Sequence, residues 1–257
     1  MIKGLYTASA GMMMQMARQD ALANNLANVN TGGYKRQTAI SKEFPEMIIS
    51  RLGEAKYNRQ GQLEPVLPKV IGSVGTGAGI DAVYTDYTEG RIRSTEQPTD
   101  FALTQEGFFV VNTPNGARYT RNGEFKLNSE SYLSTNQGYL VLDTDNQPIQ
   151  IEGEFSMDKQ GRISVNNEEI AQLQVVNFPN PNLLERVGDN LYNATEAATR
   201  IENPHILRGY IEDSNVNAVQ EMVTLISCTR AYESLQKMVQ AEDELTGVAI
   251  DDVMRSA

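Results

Sequence analysis

The sequence predicts an α+β protein: long amino- and carboxy-terminal helices pairing as a coiled-coil-like α domain, with a central, mostly antiparallel β domain. Three observations carry this. Apolar residues recur at helical spacing over residues 4–29 and again over 217–254. Between them, over 101–178, short β-prone runs alternate with turn signals. No helical stretch of crossover length separates those runs, which argues against βαβ units. The 257 residues suffice for one large domain or two modest ones. The expected division is 1–35 with 213–257 as a helical core, 36–95 as an extended connector and 96–212 as the β domain.

In the first helix Leu5, Met12 or Met13, Met16, Leu22 or Ala23, and Leu26 form the apolar stripe, while Ala17, Ala21 and Ala27 allow close approach. The pattern stops at Asn30-Thr31-Gly32-Gly33, because Asn and Gly take the left-handed conformation that ends helices. Asn24, Asn25 and Asn28 just before that stop are poor helix residues, since their amides compete for backbone partners. Two readings stand: a frayed last turn, or amides bonded to neighbouring chains. Residues 36–95 carry scattered apolar side chains, Pro65, Pro68 and the glycines of Gly72 to Gly79, and read as a partly extended connector.

The β-prone runs are Phe101–Leu103, Phe108–Val111, Phe125–Leu127, Tyr139–Leu142, Phe155–Met157, Ile163–Val165 and Leu173–Phe178. Asn115-Gly116, Asn122-Gly123, Asn136-Gln137-Gly138 and Gln160-Gly161 supply the turns. Residues 177–212, with Pro179, Pro181 and Pro204, read as irregular. The second helix opens with Asn217 and Gln220 at capping-box spacing. Val219, Met222, Val223 and Ile226 make one apolar strip, followed by Cys228, Ala231, Leu235 and Met238, then Leu245, Ala249 and Val253. At 1.5 Å per residue the segment reaches about 57 Å, several times an ordinary helix. One apolar side of that length needs a long partner.

Composition removes whole classes of function. The 33 acidic and 22 basic residues give a net charge of -11, which argues against general nucleic-acid binding and against adhesion to anionic membranes. Cys228 and His205 are the single residues of their types, so neither a disulfide framework nor a Cys- or His-rich metal site can form. The amino terminus lacks the sustained apolar core of a signal peptide, because Gly4, Thr7, Ser9, Gly11 and Gln15 interrupt it. No stretch reaches the length of a membrane span.

Local motifs are equally plain. Gly75-Thr76-Gly77-Ala78-Gly79 lacks the lysine and hydroxyl residue of a phosphate loop, and strand-like sequence follows it. Asp143, Asp145 and Asn146 fit a hairpin turn rather than a cation loop. His205 has no evident orienting acid, Ser9 and Ser227 have no nucleophile-elbow context, and Cys228 reads as a small packed hydrophobe. No catalytic residue, cofactor site or metal site is predicted.

Several blocks resemble the flagellar basal-body rod and hook protein family. They are Ser9-Ala-Gly-Met12, Asn24-Asn-Leu-Ala-Asn-Val-Asn-Thr-Gly-Gly-Tyr-Lys35, Asp100-Phe-Ala-Leu103, Gly107-Phe-Phe-Val-Val111 and Tyr119-Thr-Arg-Asn-Gly-Glu-Phe125. Towards the end come Gly209-Tyr210, Ser214-Asn-Val-Asn217, Glu221-Met-Val223 and Arg230-Ala-Tyr-Glu233. The resemblance covers almost the whole chain, least over 40–90 and 180–205. It implies a non-enzymatic axial protein without a cofactor, whose terminal helices form the inner layer of a hollow rod around an outer β domain. It further implies export by the flagellar type III apparatus without a cleaved signal, residence in the basal body outside the cytoplasm, and partners among copies of itself and other rod, hook and basal-body proteins.

On this resemblance Asn24, Asn25, Leu26, Asn28, Asn30, Gly32 and Gly33 fall at the end of the first helix and the turn out of it. Asn215, Asn217, Met222, Val223, Arg230, Ala231 and Tyr232 fall at the start of the second. With Leu5, Met12, Met16, Ile226, Leu235 and Met238 they are the assembly-interface residues expected here. The Val253-Met-Arg255 ending resembles a proximal rod subunit and favours that position, whereas segment 46–70 points towards the distal type. The competing class is a surface adhesin-like β protein with oligomerising coiled-coil ends, in which the first helix would pair with copies of itself.

The charge is unevenly placed. Residues 1–36 carry +3, residues 212–257 carry -6 and the remainder -8. Opposite signs at the two ends favour their pairing, by tenths of a kcal/mol for each exposed contact. A compact globule of this mass would expose about 11,000 Å². Ends that bury their apolar faces between chains predict a larger value for the free subunit.

Overall fold

Two helices open and close the chain: α1, Ile2–Ala27, and α2, Ala218–Ser256. The computed structural model describes residues 2–51, 56–57, 63–64, 69–166 and 168–256. α1 ends where Asn28 N–H donates to the Asn24 and Asn25 carbonyls, each at 3.2 Å, and Gly33 then turns the chain at φ 63°. α2 begins because the Asn217 side-chain oxygen caps it, accepting from the backbone N–H of Val219 at 3.1 Å and of Gln220 at 3.2 Å. Its 39 residues extend about 58 Å. No helix among the described residues is long and apolar enough to cross a membrane.

The chain forms two compact units. One comprises residues 1–23, 38–83 and 223–257, the other 24–37 and 84–222. In the first unit α1 and α2 pair antiparallel within the one chain. The Cys228 Sγ donates to the Gln15 Oε1 at 3.0 Å and lies 3.3 Å from the Gln15 carbonyl, and Gln19 Nε2 reaches Thr229 Oγ1 at 3.5 Å. A Cβ on Gly11 would stand 3.1 Å from Leu235, and one on Gly4 2.7 Å from the Glu242 carboxylate. Small residues therefore set the approach, with Ala8, Ala21 and Cys228 buried. This pairing inside one subunit is the arrangement that an adhesin-like bundle of identical helices does not have.

Of the predicted stripes, Met12, Leu22, Leu26 and Leu235 are half-buried, while other large apolar side chains point outward. Leu5, Met13, Met16, Met222 and Met238 are exposed, as are Val223 at 60% and Ile226 at 55%. The Val253 side chain, expected on the same stripe, lies outside the described residues.

Within the stretch expected to be a partly extended connector, the described residues form a paired ribbon. Gln37–Glu43 pairs with Ala78–Thr85, Met47–Arg51 with Lys69–Val74, and Lys56–Tyr57 with Leu63–Glu64, nested one inside the next. Runs such as Ile48-Ile49 and Val70-Ile71 favour extended backbone, and pairing satisfies their peptide groups without any packed partner. Ile48, Val70 and Ile71 are all exposed. Pro65 and Pro68, on which the connector reading partly rested, lie outside the described residues.

The second unit holds the core. Its nine-stranded sheet places Phe125–Leu127, Leu133–Thr135, Leu140–Val141, Phe108–Thr113, Gly116–Thr120, Leu191–Asn193 and Glu185–Gly188 side by side. Val175–Asn177 joins the other half of Phe108–Thr113 and also pairs with Thr199–Arg200. Phe155–Met157, Arg162–Val165 and Glu168–Gln172 make a three-stranded sheet. Strand Phe108–Thr113 explains why its sequence is apolar at every position from 108 to 111. Phe109 and Val111 pack into one core cluster and Phe108 and Val110 into the other, as a period of two demands of a strand covered on both faces.

Expected strands Phe101–Leu103, Phe125–Leu127 and Phe155–Met157 coincide with the observed ones. Turns at Gly116, Gly138 and Gly161 have φ of 99°, 92° and 75°, the region glycine tolerates. Asp143 closes its predicted hairpin by accepting from Asp145 N–H and Gln147 N–H, both at 2.8 Å. Residues 177–212, expected to be irregular, contribute strands Glu185–Gly188, Leu191–Asn193, Thr199–Arg200, Ile206–Arg208 and Tyr210–Glu212. These are short: Glu185–Gly188 pairs with its neighbour Leu191–Asn193, while Ile206–Arg208 and Tyr210–Glu212 pair with Phe101–Leu103 and Ile92–Ser94, remote in sequence. His205 lies on the surface, where its carbonyl accepts from Thr104 N–H at 3.0 Å.

Candidate functional site

The sequence blocks around Asn25, Lys35, Arg121 and Asn215 meet in the second unit, in a junction of buried polar side chains. Its centre is Glu212, the last residue of strand Tyr210–Glu212. One carboxylate oxygen accepts from Lys35 Nζ at 2.7 Å and from Gly90 N–H at 2.7 Å; the other accepts from Arg121 Nε at 2.5 Å. The side chains of Lys35, Arg121 and Glu212 are each 4% exposed or less. Lys35 also donates to the Thr88 carbonyl at 2.8 Å, and Arg121 to the carbonyls of Gln105 and Gly107 at 2.6 and 2.7 Å.

Burial by itself would raise the Glu212 carboxyl, but the Arg121 and Lys35 charges overcome it and hold the group below the usual range. Burial pulls the Lys35 ammonium downward against the attraction of Glu212. The buried ions are therefore mutually dependent: each charge is tolerated because the others and the carbonyls solvate it.

A second layer fixes the end of α1. Asn25 is fully buried. Its Nδ2 donates to the Gln37 carbonyl at 2.8 Å and to Glu221 Oε2 at 3.2 Å, while its Oδ1 accepts from Gln37 N–H at 2.8 Å and Tyr34 OH at 3.1 Å. A side-chain amide has two donors and a two-lone-pair acceptor, so Asn25 is saturated within its own chain. Asn25 thus stands in the regular last turn of α1 with its amide bonded inside its own chain. Asn24 Oδ1, at 2.8 Å, shares the one Tyr34 hydroxyl proton with Asn25, and Asn28 Nδ2 donates to the Asn24 carbonyl at 2.8 Å.

Asn215 performs the matching task before α2. Its Oδ1 accepts from Arg36 N–H at 2.8 Å and its Nδ2 donates to the Asp86 carbonyl at 2.8 Å. Gly33 has no room for a side chain, since an added Cβ would lie 2.5 Å from the Arg121 carbonyl oxygen. Asn190 Nδ2 bonds the Gly32 carbonyl at 2.9 Å.

Of the expected interface residues, the structure brings Asn24, Asn25, Asn28, Gly32, Gly33 and Asn215 together here, while Asn30 is exposed beside them. Leu5, Met12, Met16, Met222, Val223, Ile226, Arg230, Ala231, Tyr232, Leu235 and Met238 are spread along the helices. Sequence reasoning missed Glu212, Glu221, Asp86 and Asn190. The available signal was Lys35, the one charge in an otherwise neutral block over 24–35, which required a carboxylate. The arrangement offers no exposed nucleophile and no open acid–base pair. Its chemistry is that of a clasp, joining the exit from α1, the β sheets and the entry to α2.

Comparison with known proteins matches the parts of this junction separately. The description "Flagella basal body rod protein" fits residues 5–35, "Flagellar hook protein FlgE/F/G D1 domain" fits 102–165, and "Flagellar basal body rod FlgEFG protein C-terminal" fits 207–252. Over nearly the full length, the chain is similar to the flagellar basal-body rod protein FlgG of Borreliella burgdorferi, at 36% identity over 97% of this chain and 98% of that protein. It is 32% identical to the flagellar hook-basal body complex protein FlhO of Bacillus subtilis, over 98% of this chain and 99% of that one. FlgG of Caulobacter vibrioides is also 32% identical, over 95% and 97%. Relatives of both names match over nearly their whole length, and on that ground this chain belongs to the flagellar basal-body rod protein family, as a structural subunit of the rod and not an enzyme.

Proposed function

We propose that this chain adds helically to a growing rod, with residues 1–35 and 213–257 as the axial core, 36–95 as the packing segment and 96–212 as the outer domain. The single observation that carries the reading is the outward placement of Val223, Ile226, Met238 and their neighbours on α2, a long apolar face that the chain's own α1 leaves uncovered. Exposed stripes of this extent mark an interface, and repeated heterologous docking that does not close yields a hollow filament. Copies of the same chain and other rod, hook and basal-body proteins are the partners, reached after passage through the flagellar export apparatus into the cell envelope.

The test is electron microscopy of basal bodies from a flagellated strain with and without this chain. Loss of a defined length of rod, restored by the full chain, is the expected result; intact rods without it would overturn the reading. The same images read the axial level, for which the Val253-Met-Arg255 ending favours the proximal position and the sequence of segment 46–70 the distal one.

A further inference from the structure

Beside the end of α1, the second unit contains a polar cavity of about 290 Å³, lined by Asn24, Asn28, Gln37, Arg186, Asp189 and Asn190 among others. Arg186, on strand Glu185–Gly188, is fixed in it by stacking. Its guanidinium carbon lies 4.3 Å from the centre of the Tyr34 ring and 5.6 Å from that of Tyr192, and Nη2 donates to Asn190 Oδ1 at 3.3 Å. Among the described residues no carboxylate lies within ion-pair distance of Arg186. The one acid lining the cavity, Asp189, accepts from Tyr139 OH at 3.1 Å. A partly buried arginine set against two rings and bonded to one amide oxygen, with the lining's acid taken up by Tyr139, is arranged for a further carboxylate.

We propose that the cavity is a socket for a carboxylate from a second copy of this chain, supplied by the exposed Asp251–Asp252 pair on α2. This rests on the rod-assembly reading above. The chain carries the complement of its own socket: residues 212–257 hold a net charge of -6, and neither aspartate has an ion-pair partner among the described residues. Two adjacent aspartates near the end of α2 are also a poor local choice. Asp is a weak helix former, and the carboxy-terminal end of a helix repels negative charge. A local rule broken on an exposed surface points to a requirement elsewhere. An unmatched cation and an unmatched acidic pair on one chain are the two halves of a heterologous contact, which propagates along a filament instead of closing a dimer.

The experiment is a charge exchange in full-length chain, expressed in a flagellated strain lacking it and quantified in purified basal bodies. Arg186→Glu, and separately Asp251→Lys with Asp252→Lys, are each expected to lower incorporation about tenfold, and the three changes together to restore most of it. Arg186 also packs on Tyr34, so the exposed aspartates provide the arm that is independent of folding, and thermal melting of each purified variant accompanies the assay. Wild-type incorporation of the Asp251/Asp252 variant, or a triple variant no better than Arg186→Glu alone, would overturn the socket while leaving the rod reading intact. Absence of the wild-type chain from basal bodies would overturn both.

Discussion

The two units invert each other's logic. The second buries what proteins ordinarily expose, an amide and three charges, and satisfies every one of them inside the chain. The first exposes what proteins ordinarily bury, with large apolar side chains outward along both helices and along the ribbon. The contrast teaches which part is complete as a monomer. A saturated polar junction gains nothing from a neighbour, whereas an uncovered apolar face gains on the order of 25 cal/mol for each Å² that a neighbour covers. The accessible surface is 16321 Å², against about 11,000 Å² for a compact globule of this mass.

The comparison breaks most easily at Glu212. Glu212→Ala leaves Lys35 and Arg121 buried without their carboxylate, which should cost about 3–5 kcal/mol and be read as a collapse of the chemical-denaturation midpoint. Acid should act through the same residue. Its folded-state pKa is depressed, so its contribution is complete above the unfolded value and is lost as pH falls through the folded one. Denaturation midpoints should therefore decline below the ordinary carboxylate range, and Glu212→Gln should flatten that decline.

Asn25→Ala is next. It strips partners from Gln37 and Tyr34 in a dry site, with an expected loss of about 1–3 kcal/mol. Asn28→Ala, whose amide bonds only locally and near the surface, serves as its mild control in the same melts. Asn217→Ala removes the α2 cap for about 1 kcal/mol, visible as earlier loss of helical circular dichroism. The smallest effect on the free subunit, within about 0.5 kcal/mol, belongs to Ile226→Ser. Its effect on incorporation into basal bodies should be the larger one, and the reverse ranking would erase the distinction between the units.

Much of this was legible in the chain itself. Helix limits could be read because Asn30 to Gly33 and Asn217 act locally on the backbone. Strands such as Phe125–Leu127 could be read because apolar residues cluster between turn-forming pairs. The three-stranded sheet's last member, Glu168–Gln172, and the polar strand Glu185–Gly188 could not, because their extended form comes from cross-strand partners and not from their own side chains. The ribbon was hidden for the same reason: Met47 pairs with Val74 across a long excursion. At the site, the asparagines were found, but the intrachain partners of Asn25, Gln37 and Glu221, were not. Lys35 and Glu212 are separated by 177 positions, so no window on the sequence joins them.

That ion pair has a mechanical consequence. Lys35 closely follows α1 and Glu212 closely precedes α2, and the two are locked together, reinforced by a backbone bond from Gly33 N–H to the Glu212 carbonyl at 2.7 Å. Tension entering along one helix and leaving along the other crosses this clasp directly. A shaft subunit wired in this way can carry force from one helix to the other through a few short polar bonds, without routing it along the 177 positions of chain that separate the two residues.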